Sequence, residues 1–248
     1  WELPPVTRLT SYHPSQRNTS TGLLRERMSD AMFRRAREIV HSGELGQLVG
    51  VTSWNSGALL HTHSHTADCN LFLPGDEPAV WVFGVLGAAL SIDQIELRRV
   101  GPEARYDTGT CRWDGDPGLH AYTARTASGV FLAHQPAVTD IRFEVVCSDG
   151  YLRILDNTDS LHVYKRSKTR GQYCFDELDI PPVPKGSGNL ELVKDLVSAV
   201  RSDVPTLGNE ITTRNSMEIL LGAAQSHLEG GRAVDLPLAD RGMYIPGH

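Results

Sequence analysis

The sequence predicts an α+β domain: an open, mostly antiparallel β-sheet with helices packed on one face. Three observations carry this expectation. Short extended runs bounded by turn residues fill the chain from Ala79 to Phe175, helix-period stretches lie on both sides of them, and the turns between the runs are mostly brief. Brief connections join antiparallel neighbours, because a parallel pair needs a crossover of a dozen residues or more.

Residues 1–24 are rich in Pro, Ser, Thr and Arg without a sustained period, and read as an arm or linker. Residues 25–248 form the predicted domain. Its first helix runs from about Asp30 to His41, with Ser29 or Asp30 as cap, an apolar stripe of Met32, Phe33, Ala36, Ile39 and Val40, and Ser42-Gly43 as its stop. A strand follows at Gln47 to Trp54. The extended runs VWVFGVLGAAL, SIDQIELRRV, HAYTARTA, GVFLAHQP, DIRFEVVCS, YLRILDN, SLHVYKR and QYCFDEL come next. Turns at Ala127-Ser128-Gly129, Ser148-Asp149-Gly150 and Asn157-Thr158-Asp159 join several of them, so a single sheet of six or more strands is expected. One sheet face takes the helices; the other is too large to stay wet, which predicts a face-to-face homo-oligomer. Helical stripes then recur at Asn189 to Arg201 and Asn215 to Gly230, both read as core faces, before a short extended tail from Val234 to Arg241.

Between the first strand and the sheet lies GALLHTHSHTADCNLFLPGD, Gly57 to Asp76, with three alternating histidines and an acid. In an extended segment His61, His63 and His65 would project together, as three metal ligands do. In a helix, His61, His65 and Asp68 share a face and His63 points elsewhere. Leu60, Ala67, Leu71 and Phe72 suit a helix that begins within the histidine run, and Pro74-Gly75 supplies its end. His61 and His65 then stand one turn apart, a spacing fit for a metal or for exchanging a proton with a substrate hydroxyl.

Composition excludes several classes. At 248 residues with 40% hydrophobic content, the chain can bury a full core. A formal charge of −6, with basic residues dispersed apart from Arg25, Arg27, Arg34, Arg35 and Arg37, gives nucleic acid no electrostatic footprint; that cluster reads as a solvated helix face. No run is long enough to span a bilayer. Cys69, Cys111, Cys147 and Cys174 form no CxxC pair, so a zinc ribbon or redox motif is not expected and a cytoplasmic, reduced protein is. No GxSxG elbow supports a serine hydrolase.

The pieces FRRAREIVHSGELGQLVGV, GALLHTHSHTADCNLFLPGD, SDGYLRI, ELVKDLVSAVRSDVPTL and EGGRAVDLPLADR follow one another between about Arg25 and Gly242. In this order and spacing the chain resembles the C-terminal half of the Gfo/Idh/MocA family, the glucose-fructose oxidoreductase and inositol dehydrogenase group. The resemblance implies a dihydrodipicolinate-reductase-like C-terminal domain that carries a sugar, inositol or related polyol and makes the oligomer. It also implies a Rossmann domain holding NAD or NADP. The chain contains no GxGxxG and no Glu-Lys-Pro segment, and it opens on Trp1, so that domain is expected outside this chain or lost from a member that works without it.

Carried over by position, His65 falls on the family's catalytic histidine and Asp68 on a following acid. His61 stands where the family has Asp, and His63 where it often has Gly. His65 is then the acid/base, with His61 and Asp68 completing the catalytic set; His63, His120, Tyr122 and His134 are substrate-binding candidates. His120, Tyr122 and His134, together with Gln135, are soft candidates placed on predicted strands that would line the same cavity, and Arg125 is one for recognising a carboxylate, since strand histidines, aromatics and arginines are more often packing or solvated residues. Because His61 replaces an acid, a second reading is a stand-alone lyase, hydratase or hydrolase in which His61 and His65, with Asp68 or His134, hold a divalent metal. A third is a non-catalytic scaffold subunit.

Overall fold

Met32, Phe33, Ala36, Ile39 and Val40 recur at helical spacing, and in the computed structural model all five are buried along one side of α1, Asp30–His41. The structure describes residues 30–55, 59–60, 62–86, 98–99, 119–134, 141–156, 159–183, 188–240 and 243–244. Ser42 Oγ donates to the Ile39 carbonyl (2.7 Å) and Gly43 adopts φ +74°, which ends the helix where the sequence predicts. The arm, the expected cap Ser29, Arg25 and Arg27 lie outside the described residues; Asp30, the other expected cap, is the first residue of the helix itself. Of the remaining basic cluster, Arg37 is not simply solvated: it bonds Asp76 at 2.8 Å and lies over the Phe72 ring.

The strands are β1 (Leu48–Trp54), β2 (Trp81–Leu86), β3 (Arg98–Arg99), β4 (Leu119–Arg125), β5 (Val130–His134), β6 (Arg142–Cys147), β7 (Gly150–Leu155), β8 (Ser160–Arg166), β9 (Phe175–Leu178), β10 (Val234–Asp235) and β11 (Met243–Tyr244). Nine form one open sheet in the order β10-β2-β4-β5-β1-β6-β7-β8-β9. All its pairs are antiparallel except β1 with β5, whose separation of 75 residues leaves room for a crossover. Of the predicted run 91–100 only Arg98–Arg99 is described, and it pairs with β11 in a separate ribbon instead of joining the sheet.

Strand alternation decides which face is dry. Val51, Tyr122, Phe131, Phe143, Leu152 and Val163 point inward and are buried. Phe33 of α1 meets Phe143 edge-on at 5.1 Å. The opposite face is half-buried and richly paired: Tyr151 stacks on Tyr164 at 4.7 Å, and Arg153 bonds Glu144 at 2.6 Å while lying over Tyr151.

Three more helices follow: α2 (His63–Phe72), α3 (Gly188–Ser202) and α4 (Glu210–Leu228). α4 starts five residues before the predicted Asn215, because Asn209 Oδ1 accepts from Ile211 N (2.9 Å) and Thr212 N (3.2 Å) while Thr212 Oγ1 accepts from Asn209 N. It packs on β2 so closely that Gly84 has no room for a Cβ, which would sit 2.5 Å from Ala223 Cβ. The apolar stripe of α3 departs from expectation. Leu190, Leu192, Val193, Leu196, Val197 and Val200 are exposed, not a core face; α1, α2 and α4 already cover the sheet, and among its described side chains α3 buries only Ala199.

Candidate functional site

α2 begins inside the histidine run, as the apolar spacing predicts, and Gly75 at φ +119° follows its end. Its inward stripe, His63, Thr66, Ala67, Asn70 and Leu71, is wholly buried yet carries three polar side chains. Burying such groups is tolerable only if they are bonded. Asn70 Nδ2 donates to Ser53 Oγ of β1 (2.9 Å) and to the Tyr122 hydroxyl of β4 (3.0 Å), and Ser53 Oγ donates to the Leu132 carbonyl of β5 (3.2 Å). Asn55 Nδ2, just past β1, donates to Thr66 Oγ1 (2.9 Å) and the Thr62 carbonyl (3.4 Å). This polar seam fixes α2 against three adjacent strands.

The predicted residues sort as follows. His65 and Asp68 stand three residues apart on the outward side of α2, so the helix makes them neighbours. His63 faces the core and is fully buried. Tyr122 is 1% exposed, with its hydroxyl taken up by Asn70; it braces α2 against β4 instead of opening onto solvent, and burial raises its pKa well above the usual phenol range. His120 lies on β4, and His134 ends β5 in register with Trp54 of β1 and Ala121 of β4, so the backbone gathers both at the sheet end from which the chain enters α2. His61 and Gln135 lie outside the described residues. Arg125 ends β4, exposed.

Asp68 is turned toward α4. Its Oδ1 accepts from Ser216 Oγ at 3.1 Å, and it has an exposed edge on a cleft of about 250 Å³ between α1, α2 and α3. Crowding by protein atoms on its other sides raises its pKa; the Ser216 bond opposes the rise and the Asp76 carboxylate adds to it. Phe33, Phe72 and Leu192 supply the cleft's apolar walls, whereas His65 does not line it. The expected His65–Asp68 face is therefore split in its contacts.

Sequence reading missed Ser53, Asn55, Thr66, Asn70 and Ser216. The signal was present: His63, Thr66 and Asn70 fall at helical spacing on the apolar side of the segment, where a polar residue needs a buried partner.

Among the described residues, no group of three or more His, Cys, Asp or Glu is placed to hold one metal ion. No described helix is long and apolar enough to cross a membrane.

No protein-family model matches the chain. No curated protein matches it either. Solved structures do. Levoglucosan dehydrogenase in complex with NADH and L-sorbose is 18% identical, with 84% of this chain and 65% of that one covered and a TM-score of 0.57. An NAD binding oxidoreductase from Klebsiella pneumoniae is 18% identical, with 85% and 65% covered and a TM-score of 0.60. The super-repressor mutant of Gal80p from Saccharomyces cerevisiae is 11% identical, with 85% and 63% covered and a TM-score of 0.55. The chain thus spans just under two thirds of each of these chains. It has the fold, an open and mostly antiparallel sheet backed by helices, that the resemblance to Gfo/Idh/MocA proteins implied.

Proposed function

We propose that the chain is the substrate-binding and oligomerising domain of an NAD(P)-dependent oxidoreductase acting on a sugar, inositol or related polyol, with His65 as acid/base. One observation carries this reading: the seam of Ser53, Asn70 and Tyr122 holds the His65 helix rigidly against the end of β1, β4 and β5, within a fold shared with an NADH- and sorbose-bound dehydrogenase. In this reading the nicotinamide supplies the hydride chemistry and is held by another domain. The part of this chain is to seat the polyol beside α2 and take or return the hydroxyl proton at His65. His61 completes the catalytic set, and His120 and His134 are the candidates to bind the substrate hydroxyls; His63, buried against the core, is not one of them. The open sheet face, with its Tyr151–Tyr164 stack, supports self-association there.

The test is NAD(P)-linked turnover by the native polypeptide over a panel of sugars and polyols. His65→Asn is expected to lower kcat by about 10²–10⁴-fold with an unchanged fold. No nicotinamide binding and no turnover on any member of the panel would sink the reading. The shared fold of Gal80p favours, as second reading, a domain that binds without turning over, which substrate binding with no product would indicate.

A further inference from the structure

α3 rests against the body on a ridge that is mostly polar. Glu191, Asp195 and Ala199 follow one another at four-residue steps; the two acids line the cleft between α1, α2 and α3, and Ala199 is buried. The walls opposite include the rings of Phe33 and Phe72. One residue step round the helix, about 100°, the neighbouring ridge of Leu192, Leu196 and Val200 stands 52%, 56% and 77% exposed. Carboxylates therefore face aromatic walls while leucines face water, and both ridges are displaced from their favoured surroundings by the same angle.

Little among the described side chains opposes a turn that would exchange them. Asp195 Oδ2 accepts from Leu207 N at 2.8 Å, and Ala199 offers one methyl group. Glu191 is paired with Lys194 of the same helix, a contact that turns with it. Just beyond the helix Asp203 takes φ +52°, and the Cα of Gly208 looks onto open space, so the connection to α4 is not tightly packed.

We propose that α3 is a two-position cover of this cleft: turned by about 100° about its axis, it seats Leu192, Leu196 and Val200 against Phe33 and Phe72 and closes over Asp68. The first position, seen here, leaves the exposed edge of Asp68 on an open cleft of about 250 Å³. The second withdraws that edge from water, on the helix that carries His65, and carries Glu191 and Asp195 out to solvent. One hydrogen bond and one methyl contact are exchanged for three apolar side chains taken out of water.

Cys69 lines the same cleft and reports the turn. Leu196→Cys and, as control, Lys194→Cys are made in the native polypeptide, oxidised with copper phenanthroline, and their disulfides mapped by mass spectrometry. A disulfide requires Cα atoms within about 7 Å; the second position brings residue 196 to the cleft and leaves residue 194 outside it, so Leu196→Cys should join Cys69 at least about tenfold faster than Lys194→Cys. Hydroxyl-radical footprinting of the unmodified polypeptide checks the same turn without a substitution. Leu190 and Leu196 are almost equally exposed in the first position, at 52% and 56%, and only Leu196 enters the cleft in the second, so Leu196 should be oxidised well below Leu190. Equal disulfide rates for the two variants, equal oxidation of the two leucines, or a disulfide that joins two copies through Leu196→Cys instead of reaching Cys69 overturns the proposal.

Discussion

Gly84→Ala tests the tightest joint in the fold. The added Cβ would lie 2.5 Å from Ala223 Cβ and 2.6 Å from both Ala223 Cα and its carbonyl oxygen. Carbon contacts settle near 3.5–4.0 Å, and two of these neighbours are backbone, so no rotamer change relieves them; α4 must lift from β2 by about 1 Å. Lifting it would stretch the bonds from Gly84 N to Ser226 Oγ (3.1 Å) and from Leu86 N to His227 Nδ1 (3.3 Å) past useful length. Overpacking costs about 1–3 kcal/mol, the two bonds about 1 kcal/mol each, and the stiffer unfolded chain returns up to about 1 kcal/mol. The expected net loss is about 2–4 kcal/mol, a large share of an ordinary domain's stability. Urea unfolding followed by circular dichroism reads it as a lower midpoint. Ala223→Gly in the same chain removes only the Cβ contact and should recover less than half. A loss under about 1 kcal/mol with an unchanged m-value would refute the reasoning, since α4 would then be free to move.

Tyr122→Phe leaves Asn70 with one fewer partner in a fully buried site, so thermal unfolding should show a loss of about 1–2 kcal/mol and amides of α2 should exchange faster; unchanged exchange would show that the seam does not hold the helix. Asp68 has a higher pKa folded than its ordinary 3.8, so its proton is held more tightly in the folded state, and the stability linked to it declines as pH rises from there through the raised value. Asp68→Asn should therefore be more stable than the parent at pH 7, by under about 1 kcal/mol because the exposed edge is screened, with the difference fading toward pH 4; a pH-independent difference in Tm contradicts this. Asn209→Ala removes the acceptor for Ile211 N and Thr212 N and should cost about 1 kcal/mol in chemical denaturation, against no change if the cap is idle.

Periodicity made much of this fold legible. The α1 stripe, the alternation of β6 and β7 and the turn at Ser148-Asp149-Gly150 each follow from local rules that tertiary packing did not override. Hydrophobicity alone could not say that α3 faces outward, because an apolar stripe records the need for a partner without naming it. The start of α4 was hidden for another reason: Ile211, Thr212 and Thr213 are β-branched and read poorly as helix, and the Asn209 cap outweighs them. At the candidate site, the helix and the neighbourhood of His65 and Asp68 were readable from spacing. The partners Ser53, Tyr122 and Ser216 were not, since they lie 17, 52 and 148 residues from the side chains they bond.

The lone parallel pair, β1 with β5, divides the sheet in time as well as in space. β6, β7, β8 and β9 form a run of neighbours in chain order, each joined to the next by a short connection, so their loops close at little entropic cost. The other half must wait. β1 meets β5 only after α2, β2 and β4 have been laid down, and β2 gains its outer neighbour only when the distant Val234–Asp235 arrives. The half with local pairing can therefore assemble first, while the half that carries the His65 helix depends on the most distant contacts in the chain. Pulse-labelled hydrogen exchange during refolding would read that order directly, with protection in β6–β8 preceding protection in β2 and α2; the reverse order would show that α2 folds before its strands are joined.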